Sequence, residues 1–415
     1  MIGEWHLSEL ADQFGGTITG DVVINAVSTD TRTITQGALF VALKGERFNA
    51  EDFVAQAVEK GAVAAVVSRQ LPIDIPQWIV DDATVALGQI GLFNRQRSNA
   101  FAYAVTGSAG KTTVKEMLAH VLAQSCNVLA TKGNFNNDIG VPLTLLRIET
   151  EHTHIVTELG ASAVGEIDYT THLAKPDIAI LNNALGAHLE GFGSLQGVVK
   201  AKGEIFNGLP EDGWGVVNLD DPHANVWLNA NRHRHMITFS VSNSQADVYA
   251  ESVNTNSQGC AEFEIRYRGD REKVVLQVLG VHNVANALAV SAALLAGGFD
   301  LAFIAAGLRS FTAVAGRMCP LTGINGVNLV DDSYNASPGA VKAAIDYLAQ
   351  RQGQRFLVLG DMAELGDEAE AEHASVGAYA ADKGIDYVWA VGALSRHTVT
   401  AFNDAHGAGQ GWERD

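Results

Sequence analysis

The sequence has few cysteines, a deficit of basic residues and no long apolar run. Its three cysteines are scattered over 415 residues without a CxxC pair, which argues against a disulfide scaffold or zinc ribbon and fits a reducing compartment. Lysine and arginine number 28 against 47 acids, giving a net charge of −19 that argues against coating nucleic acid or an anionic membrane. The longest uncharged apolar stretch, residues 284–299, is shorter than the roughly 20 residues of a membrane span. With no secretory signal visible at the N-terminus, we expect a soluble cytoplasmic protein.

What the sequence contains is a globular composition with alternating strand and helix patterns. Apolar residues make up 47% and charged residues 18%, and a prior of roughly 150 residues per domain predicts two to three domains. Residues 1–82 form a small α/β segment, residues 83–312 alternate in the manner of a doubly wound parallel sheet, and residues 313–415 form a smaller doubly wound unit. Within the second segment, residues 214–279 are expected to be antiparallel. The predicted fold class is α/β with three domains.

The strongest chemical signal is a glycine-rich loop between a predicted strand and an amphipathic helix. The loop reads Gly107-Ser108-Ala109-Gly110-Lys111-Thr112-Thr113. Backbone N–H groups at such a loop and helix N-terminus bind phosphate oxygens. Lys111 is placed to reach the β- and γ-phosphates of ATP and Thr112 to hold Mg²⁺. Val105 stands where the usual P-loop has its first glycine, so this is a shorter variant; the alternative is an ordinary glycine-rich turn.

Three further residues are candidates for catalysis. Glu158 ends the next apolar strand, and a carboxylate there beside a P-loop can hold Mg²⁺, the alternative being a solvated loop acid. His188 follows another strand and is a candidate ligand for a second metal ion or contact to a reacting oxygen, although an isolated loop histidine usually has no such role. Lys202 is the third candidate; its alternatives are a solvated lysine and a plain phosphate contact.

Three residues later in the chain are candidates for nucleotide binding. Asn283 begins a predicted helix, where an asparagine caps the helix or reads an adenine edge. Arg317 lies at the predicted junction of the second and third domains, and an arginine from a neighbouring domain suits the charge of a transferring phosphoryl group. Asp332 follows a predicted strand over residues 327–330, which makes it a candidate site residue by the switch-point rule or part of a capping turn.

Together these motifs resemble the Mur ligase family of peptidoglycan synthesis. The resemblance runs in order through nearly the whole chain and covers Ser28–Arg32, Phe40–Phe48, the glycine-rich loop, Asn134–Pro142, Glu158–Ala161, His188–Gly193, His282–Ala287, Gly316-Arg317, Asp331–Ala336 and Gly360–Gly366. The glycine-rich loop is shared with folylpolyglutamate synthetases. The N-terminal segment, residues 134–142 and residues 360–366 favour the branch of the family that adds D-alanyl-D-alanine.

The resemblance implies an N-terminal domain for a UDP-sugar, a central ATPase and a Rossmann-like C-terminal domain. It implies that Ser28 and Arg32 lie in the UDP site and that Asn136 and Asn137 contact substrate. It also implies that Thr112, Glu158 and His188 bind Mg²⁺, that Asn283, Arg317 and Asp332 contact ATP, and that Lys202 is carbamylated.

The sequence departs from the family pattern at two places. Ala109 replaces the usual loop asparagine, a change that is tolerated if backbone N–H groups bind the phosphate. Family members continue beyond the end of this sequence, which implies an incomplete C-terminal domain.

The expected activity is the ATP-dependent amide ligation of D-alanyl-D-alanine to UDP-N-acetylmuramoyl-tripeptide through an acyl phosphate. The expected cofactors are ATP and Mg²⁺, and we expect a monomer without nucleic-acid partners. One alternative is another Mur ligase or a folylpolyglutamate synthetase. A second alternative, of a different class, is a nucleotide-binding homologue without ligase activity.

Overall fold

The computed structural model describes residues 1–45, 48–185, 189–363, 365–406 and 411–414. Its described strands form a nine-stranded, a five-stranded and a three-stranded sheet, together with two two-stranded sheets. The three larger sheets follow one another along the chain and are joined by helices. The α/β class predicted from the alternation of strand and helix patterns is therefore confirmed.

The first sheet is small and mostly parallel. Its region consists of β1 (Trp5–His6), α1 (Leu7–Phe14), β2 (Thr17–Ile18), β3 (Val23–Ile24), β4 (Ala26–Ser28), β5 (Ala38–Val41), a 3₁₀ turn (Ala50–Phe53), α2 (Val54–Glu59), β6 (Ala62–Val67) and β7 (Gln77–Ile79). The five-stranded sheet has the order β2-β7-β6-β5-β4, and β2 alone runs antiparallel to its neighbour. Trp5 and Trp78 are fully buried in a core that continues onto the next helix through Leu87 and Ile90. Phe40 and Val54 belong to a second buried cluster, which is formed within this segment.

The nine-stranded sheet forms the centre of the molecule. Its region consists of α3 (Ala83–Gln96), β8 (Phe101–Thr106), α4 (Lys111–Leu122), β9 (Val128–Ala130), α5 (Gly140–Leu145), β10 (His154–Glu158), α6 (Glu166–Ala174), β11 (Ile178–Leu181), α7 (Leu189–Phe192), α8 (Leu195–Gly203), a 3₁₀ helix (Glu204–Gly208), β12 (Trp214–Asn218), α9 (Ala224–Ala230), β13 (His235–Ser240), β14 (Val248–Thr255), β15 (Cys260–Tyr267), β16 (Asp270–Leu279), α10 (Asn283–Ala296) and α11 (Leu301–Ser310). The strand order is β16-β15-β14-β13-β12-β11-β8-β10-β9.

The antiparallel arrangement expected for residues 214–279 is only partly correct. β14, β15 and β16 are antiparallel, but β12, β13 and the start of β14 pair in parallel and extend the ATPase-like sheet. A parallel pair needs a crossover, and α9 provides it between β12 and β13. α9 has only seven residues, too few for their periodicity to predict a helix, which is why the sequence does not indicate this crossover.

The glycine-rich loop lies where the sheet order makes a crevice. β8 is hydrogen-bonded in parallel to β10 on one side and to β11 on the other. The chain leaves β8 towards one edge and returns to β11 on the opposite side, which is a topological switch point at the carboxyl ends of the strands. α4 packs its apolar face, spaced as the sequence predicts, into the sheet; its buried side chains are Val114, Met117, Leu118, Val121 and Leu122.

The last region combines a hairpin with a three-stranded parallel sheet. It consists of β17 (Cys319–Thr322), a 3₁₀ turn (Ile324–Gly326), β18 (Asn328–Asp331), α12 (Pro338–Ala349), β19 (Phe356–Gly360), a 3₁₀ turn (Gly366–Glu368), α13 (Ala369–Asp382), β20 (Tyr387–Val391), α14 (Ser395–His406) and β21 (Gly411–Arg414). The order β19-β20-β21 is parallel throughout. The strand predicted at 327–330 is β18, but it pairs antiparallel with β17 instead of joining that sheet, so the switch-point argument for Asp332 is wrong.

Candidate active site

The glycine-rich loop adopts a conformation that requires glycine at position 110. Gly110 has φ +80, and a Cβ there would lie 2.4 Å from Asn286 Oδ1 and 2.5 Å from Asn182 Nδ2. α4 begins at the next residue, which places the backbone N–H groups of its first turn, free of partners within the helix, beside this loop. The loop therefore has the close backbone approach that a phosphate site needs.

The chain following β11 fixes this loop through its backbone. Asn183 Oδ1 accepts a hydrogen bond of 2.8 Å from Ala109 N–H, and Asn182 Nδ2 donates one of 3.0 Å to Ala109 O. Ser108 Oγ donates to Leu185 O over 3.0 Å. Because these bonds reach only the backbone of residue 109, the replacement of the usual asparagine by Ala109 leaves them intact.

Lys111 lies folded against its own loop. Its Nζ donates a hydrogen bond of 2.8 Å to Gly107 O. Burial lowers the pKa of Lys111, the nearby Arg317 cation lowers it further, and the Glu158 carboxylate opposes both effects. Glu158 and Arg317, which come from distant parts of the sequence, thus lie close enough to Lys111 for their charges to act on it.

Glu158 carries a carboxylate oxygen that has no protein partner among the described residues. The side chain is 2% exposed at the end of β10, and Oε1 accepts a hydrogen bond of 2.9 Å from Asn136 Nδ2. Oε2 is buried and unpaired within the same described ranges. A buried anionic oxygen without a partner is costly, and a divalent cation satisfies it. The chemistry of this position therefore fits Mg²⁺.

The two asparagines predicted to contact substrate, Asn136 and Asn137, make hydrogen bonds within the protein. The Asn136 side chain donates to Glu158 as described, and the backbone carbonyl of Asn136 accepts a hydrogen bond of 2.8 Å from Gly160 N–H. Asn137 Oδ1 accepts from Gly140 N–H over 2.9 Å at the start of α5. Asn136 thus orients the candidate metal ligand, whereas Asn137 organises the turn before a helix; substrate contact by either residue stays a prediction.

Lys202 lies in the last turn of α8 and is 1% exposed. Burial and, secondarily, the positive charge of Lys111 lower the pKa of Lys202 to about 7. Its Nζ lies 5.2 Å from the centroid of the Phe192 ring. The alternative of a solvated lysine is wrong, and at neutral pH a large fraction of this amine is unprotonated.

Glu204, two residues after Lys202, forms hydrogen bonds to the segment that follows Glu158. Its carboxylate accepts from Gly165 N–H over 2.9 and 3.0 Å and from Asp168 N–H over 3.2 Å, at the N-terminus of α6. Burial raises the pKa of Glu204, an effect that these N–H donors oppose. Sequence reasoning does not single out this acid, although its place two residues after Lys202 is a usable signal.

His188, the other candidate metal ligand, lies outside the described residues, so its role stays a prediction.

Asn283 belongs to a relay of buried amides that ends at the glycine-rich loop. Its Nδ2 donates to Leu279 O and its Oδ1 accepts from Asn286 Nδ2, both over 2.8 Å. Asn182 Nδ2 donates in turn to Asn286 Oδ1 over 3.0 Å. The N-cap position of α10 is His282, and the Asn283 side chain instead bonds Leu279 O and Asn286, so the capping alternative is wrong for Asn283. Its contact to adenine stays a prediction.

Arg317 reaches the glycine-rich loop from the segment before β17. Its Nη2 donates a hydrogen bond of 2.9 Å to Thr112 Oγ1, and Thr112 is 7% exposed. Asp332 Oδ1 accepts from Met318 N–H over 3.0 Å, and burial raises the pKa of Asp332. Asp332 therefore anchors the neighbour of Arg317, a role that the sequence did not indicate, while its contact to ATP stays a prediction.

The candidate UDP-site residues form a turn of the first domain. Ser28 Oγ donates to Asp30 O over 2.9 Å. Arg32 Nη2 binds Asp30 Oδ2 over 2.6 Å, and hydrogen bonds from Arg32 lower the pKa of Asp30 to about 2. The Arg32 side chain is 84% exposed, so its guanidinium remains accessible to an anionic ligand.

Comparison with protein families gives three matches along the chain. The Mur ligase family catalytic domain matches residues 23–122, the Mur ligase middle domain matches residues 105–294, and the Mur ligase glutamate ligase domain matches residues 316–411.

Within the described residues, every helix is too short or too polar to cross a membrane.

Curated relatives and solved structures resemble the chain over nearly its whole length. UDP-N-acetylmuramoyl-tripeptide–D-alanyl-D-alanine ligase of Escherichia coli (strain K12) is 48% identical over 95% of this chain and 87% of the relative. The crystal structure of MurF from Acinetobacter baumannii has a TM-score of 0.92 at 34% identity, covering 99% of this chain and 90% of that one. MurF ligase from Thermotoga maritima in complex with ADP has a TM-score of 0.83 at 26% identity, with 94% and 88% coverage.

Proposed function

The chain belongs to the Mur ligase family, and on that premise we propose that it joins D-alanyl-D-alanine to UDP-N-acetylmuramoyl-tripeptide at the expense of ATP. The observation that carries the proposal is the 48% identity to the Escherichia coli ligase of that name over 95% of this chain. The site contributes a glycine-rich loop, the half-buried Lys111 and a carboxylate oxygen of Glu158 that is unpaired among the described residues. A neighbour of known structure holds ADP, which supports ATP as the energy source.

The reaction proceeds in two steps. A terminal carboxylate oxygen of the tripeptide attacks the γ-phosphorus of ATP, the bond to the bridging oxygen breaks, and ADP leaves. The amine of D-alanyl-D-alanine then attacks the acyl carbon, inorganic phosphate leaves with the electron pair of the C–O bond, and the amine loses a proton. ATP is needed because a carboxylate is a poor electrophile and its oxygen a poor leaving group.

Lys111 and Arg317 act on the phosphates in this scheme. Both cations converge on the first turn of α4, where Lys111 Nζ binds Gly107 O and Arg317 Nη2 binds Thr112 Oγ1. On nucleotide binding, Lys111 exchanges its carbonyl partner for phosphate oxygens. Two positive charges fixed in a partly dry crevice stabilise the charge that spreads over the transferring phosphoryl group.

We place the Mg²⁺ ligands at Thr112, Glu158 and His188. The unpaired Glu158 Oε2 supports this choice, and the Thr112 hydroxyl has a second lone pair available besides the one facing Arg317. When bound, Mg²⁺ neutralises phosphate charge and orients the triphosphate. Asn136 holds Glu158 in place through its bond to Oε1, so the unpaired oxygen keeps a fixed direction.

Lys202 is suited to carbamylation. A pKa of about 7 leaves roughly half of the amine neutral at pH 7, and a neutral amine attacks CO₂ to give a carbamate and a proton. The carbamate replaces a buried cation by an anion. That exchange relieves the repulsion between Lys202 and Lys111 and adds a negative group near the metal site.

The three segments divide the substrates among them. Residues 1–82 bind the UDP-sugar through Ser28 and Arg32, residues 83–312 bind ATP, and residues 313–415 supply Arg317 and the Rossmann-like sheet. We place the enzyme in the cytoplasm, since ATP and a UDP-linked sugar are intracellular nucleotides. We propose separately that it acts as a monomer.

A phosphate-release assay tests the assignment. UDP-N-acetylmuramoyl-tripeptide with D-alanyl-D-alanine should support turnover, whereas single amino acids or folate in place of the natural substrates should not. Turnover with a single amino acid or folate alone would instead assign a neighbouring branch of the family. ATP binding without turnover under any substrate combination would identify a nucleotide-binding protein without ligase activity.

A further inference from the structure

The backbone on both sides of Arg317 is fixed to one neighbouring segment, the turn that follows β18. Tyr334 N–H donates to Gly316 O over 3.2 Å. Met318 N–H donates to Asp332 Oδ1 over 3.0 Å. Arg317 therefore projects from a short stretch of chain that is held before and after it.

The aromatic ring of Tyr334 lies against the guanidinium of Arg317. Arg317 Cζ is 4.1 Å from the ring centroid, inside the roughly 6 Å within which a cation and a ring face attract each other. Gly316 has φ +74, and a Cβ there would lie 3.1 Å from Tyr334 Cβ. The glycine thus lets the chain turn and lets the ring approach closely.

The same guanidinium contacts the glycine-rich loop. Arg317 Nη2 donates to Thr112 Oγ1 over 2.9 Å, whereas Arg317 Nε is buried without a hydrogen-bond partner in the part of the chain that the structure describes. A ring face attracts a guanidinium without using its N–H donors, which lie in the guanidinium plane. A carboxylate in the place of Tyr334 would take up those donors and offset the positive charge.

We propose that Tyr334 is a positioning residue that sets the plane and direction of the Arg317 guanidinium for phosphoryl transfer. The inference rests on the proposed ligase function. The ring holds the guanidinium in the plane that directs its Nη donors towards the first turn of α4, and it leaves the full positive charge for the phosphates. Nothing in this role requires the tyrosine hydroxyl.

Steady-state kinetics of two variants test this role. Tyr334→Leu keeps an apolar side chain but removes the π face, and it should lower kcat about tenfold while the KM for ATP changes by less than about twofold. Tyr334→Phe keeps the ring and should retain kcat within about twofold of the wild type. Thermal unfolding of both variants checks that the fold is intact. A wild-type kcat in Tyr334→Leu, or equal losses in both variants, would overturn the proposal.

A double-mutant cycle tests whether Tyr334 acts through Arg317. In an Arg317→Lys background, Tyr334→Leu should cause little further loss, because the ammonium lacks the plane that the ring orients. Losses that simply multiply would overturn the proposal.

A readout independent of activity separates this inference from the proposed function. In protein with isotope-labelled arginine, the ring current of Tyr334 should shift the side-chain NMR resonances of Arg317 upfield in the wild type and in Tyr334→Phe but not in Tyr334→Leu. Equal resonances in all three proteins would refute the contact itself. The shift without any ligase turnover of the wild type would refute the proposed function and leave the contact standing.

Discussion

Asn182 Nδ2 donates a hydrogen bond of 3.0 Å to Asn286 Oδ1 across 104 positions of the chain, directly behind the glycine-rich loop. The same amide nitrogen donates to Ala109 O over 3.0 Å. Asn286 is in turn held by Asn283. The glycine-rich loop is thus held by buried amides from two other elements, the turn after β11 and the helix α10.

Asn182→Ala should weaken both the fold and nucleotide binding. It removes two hydrogen bonds and leaves the buried Asn286 Oδ1 without its donor, whereas Ala109 O keeps the hydrogen bond from Asn183 Nδ2. The expected loss is about 1–3 kcal/mol in the free energy of unfolding. Urea unfolding measures the stability and a titration with ATP the affinity. Asn254→Ala is the control, since within the described ranges that exposed side chain makes a single hydrogen bond, to nearby Ser252 O. Equal stability of the two variants would show that the relay does not support the loop.

Gly110→Ala should abolish nucleotide binding. The added Cβ has both an unfavourable φ of +80 and a clash at 2.4 Å with Asn286 Oδ1. Gly269→Ala separates the two causes, because Gly269 has φ +93 and open space around its Cβ position. The control should lose on the order of 1 kcal/mol of stability and keep ATP binding. Undiminished ATP affinity in Gly110→Ala, measured by calorimetry, would contradict the close approach described here.

The helix α4 and the acid Glu158 could be predicted from the sequence, whereas their partners could not. Apolar residues at helical spacing predict the buried face of α4, and a polar residue after a buried strand marks the sheet edge. The bond between Asn182 and Asn286 depends on how β11 and α10 pack, which local patterns do not encode. The same reason explains β18, whose apolar strand pattern gives no information on its antiparallel partner β17.

Lys111→Ala should abolish turnover while the protein remains folded. Among the described residues, Lys111 Nζ donates a hydrogen bond only to Gly107 O, and the loop backbone is held by other bonds, so the fold should not depend on this lysine. Circular dichroism and the phosphate-release assay measure the two properties. Removal of this cation should also raise the pKa of Lys202, because the positive charge of Lys111 lowers it. Wild-type turnover would remove Lys111 from the mechanism.

Lys202 should make the stability of the ligand-free protein depend on pH. Its pKa is about 7 in the folded chain against 10.5 for the ordinary side chain, so between these values the unfolded state binds more protons. The free energy of unfolding should therefore rise with pH from about 7 to 10.5, and Lys202→Met should flatten part of that rise. Urea unfolding in CO₂-free buffer at several pH values measures the effect.

Lys200→Met is the matched control for that series, because Lys200 is an exposed lysine on the same helix, α8. It should leave the pH dependence as it is in the wild type. Identical slopes in the wild type and in Lys202→Met would show that Lys202 does not carry the lowered pKa.

Glu158→Gln should separate stability from metal binding. The substituted side chain keeps an oxygen for Asn136 Nδ2, and it removes a buried charge whose second oxygen has no partner among the described residues. The ligand-free variant should therefore be at least as stable as the wild type. Its affinity for Mn²⁺ in the presence of ADP, measured by electron paramagnetic resonance, should fall together with turnover, by about a hundredfold or more. If metal affinity and turnover both survive, Glu158 is not the ligand, and its unpaired oxygen needs another explanation.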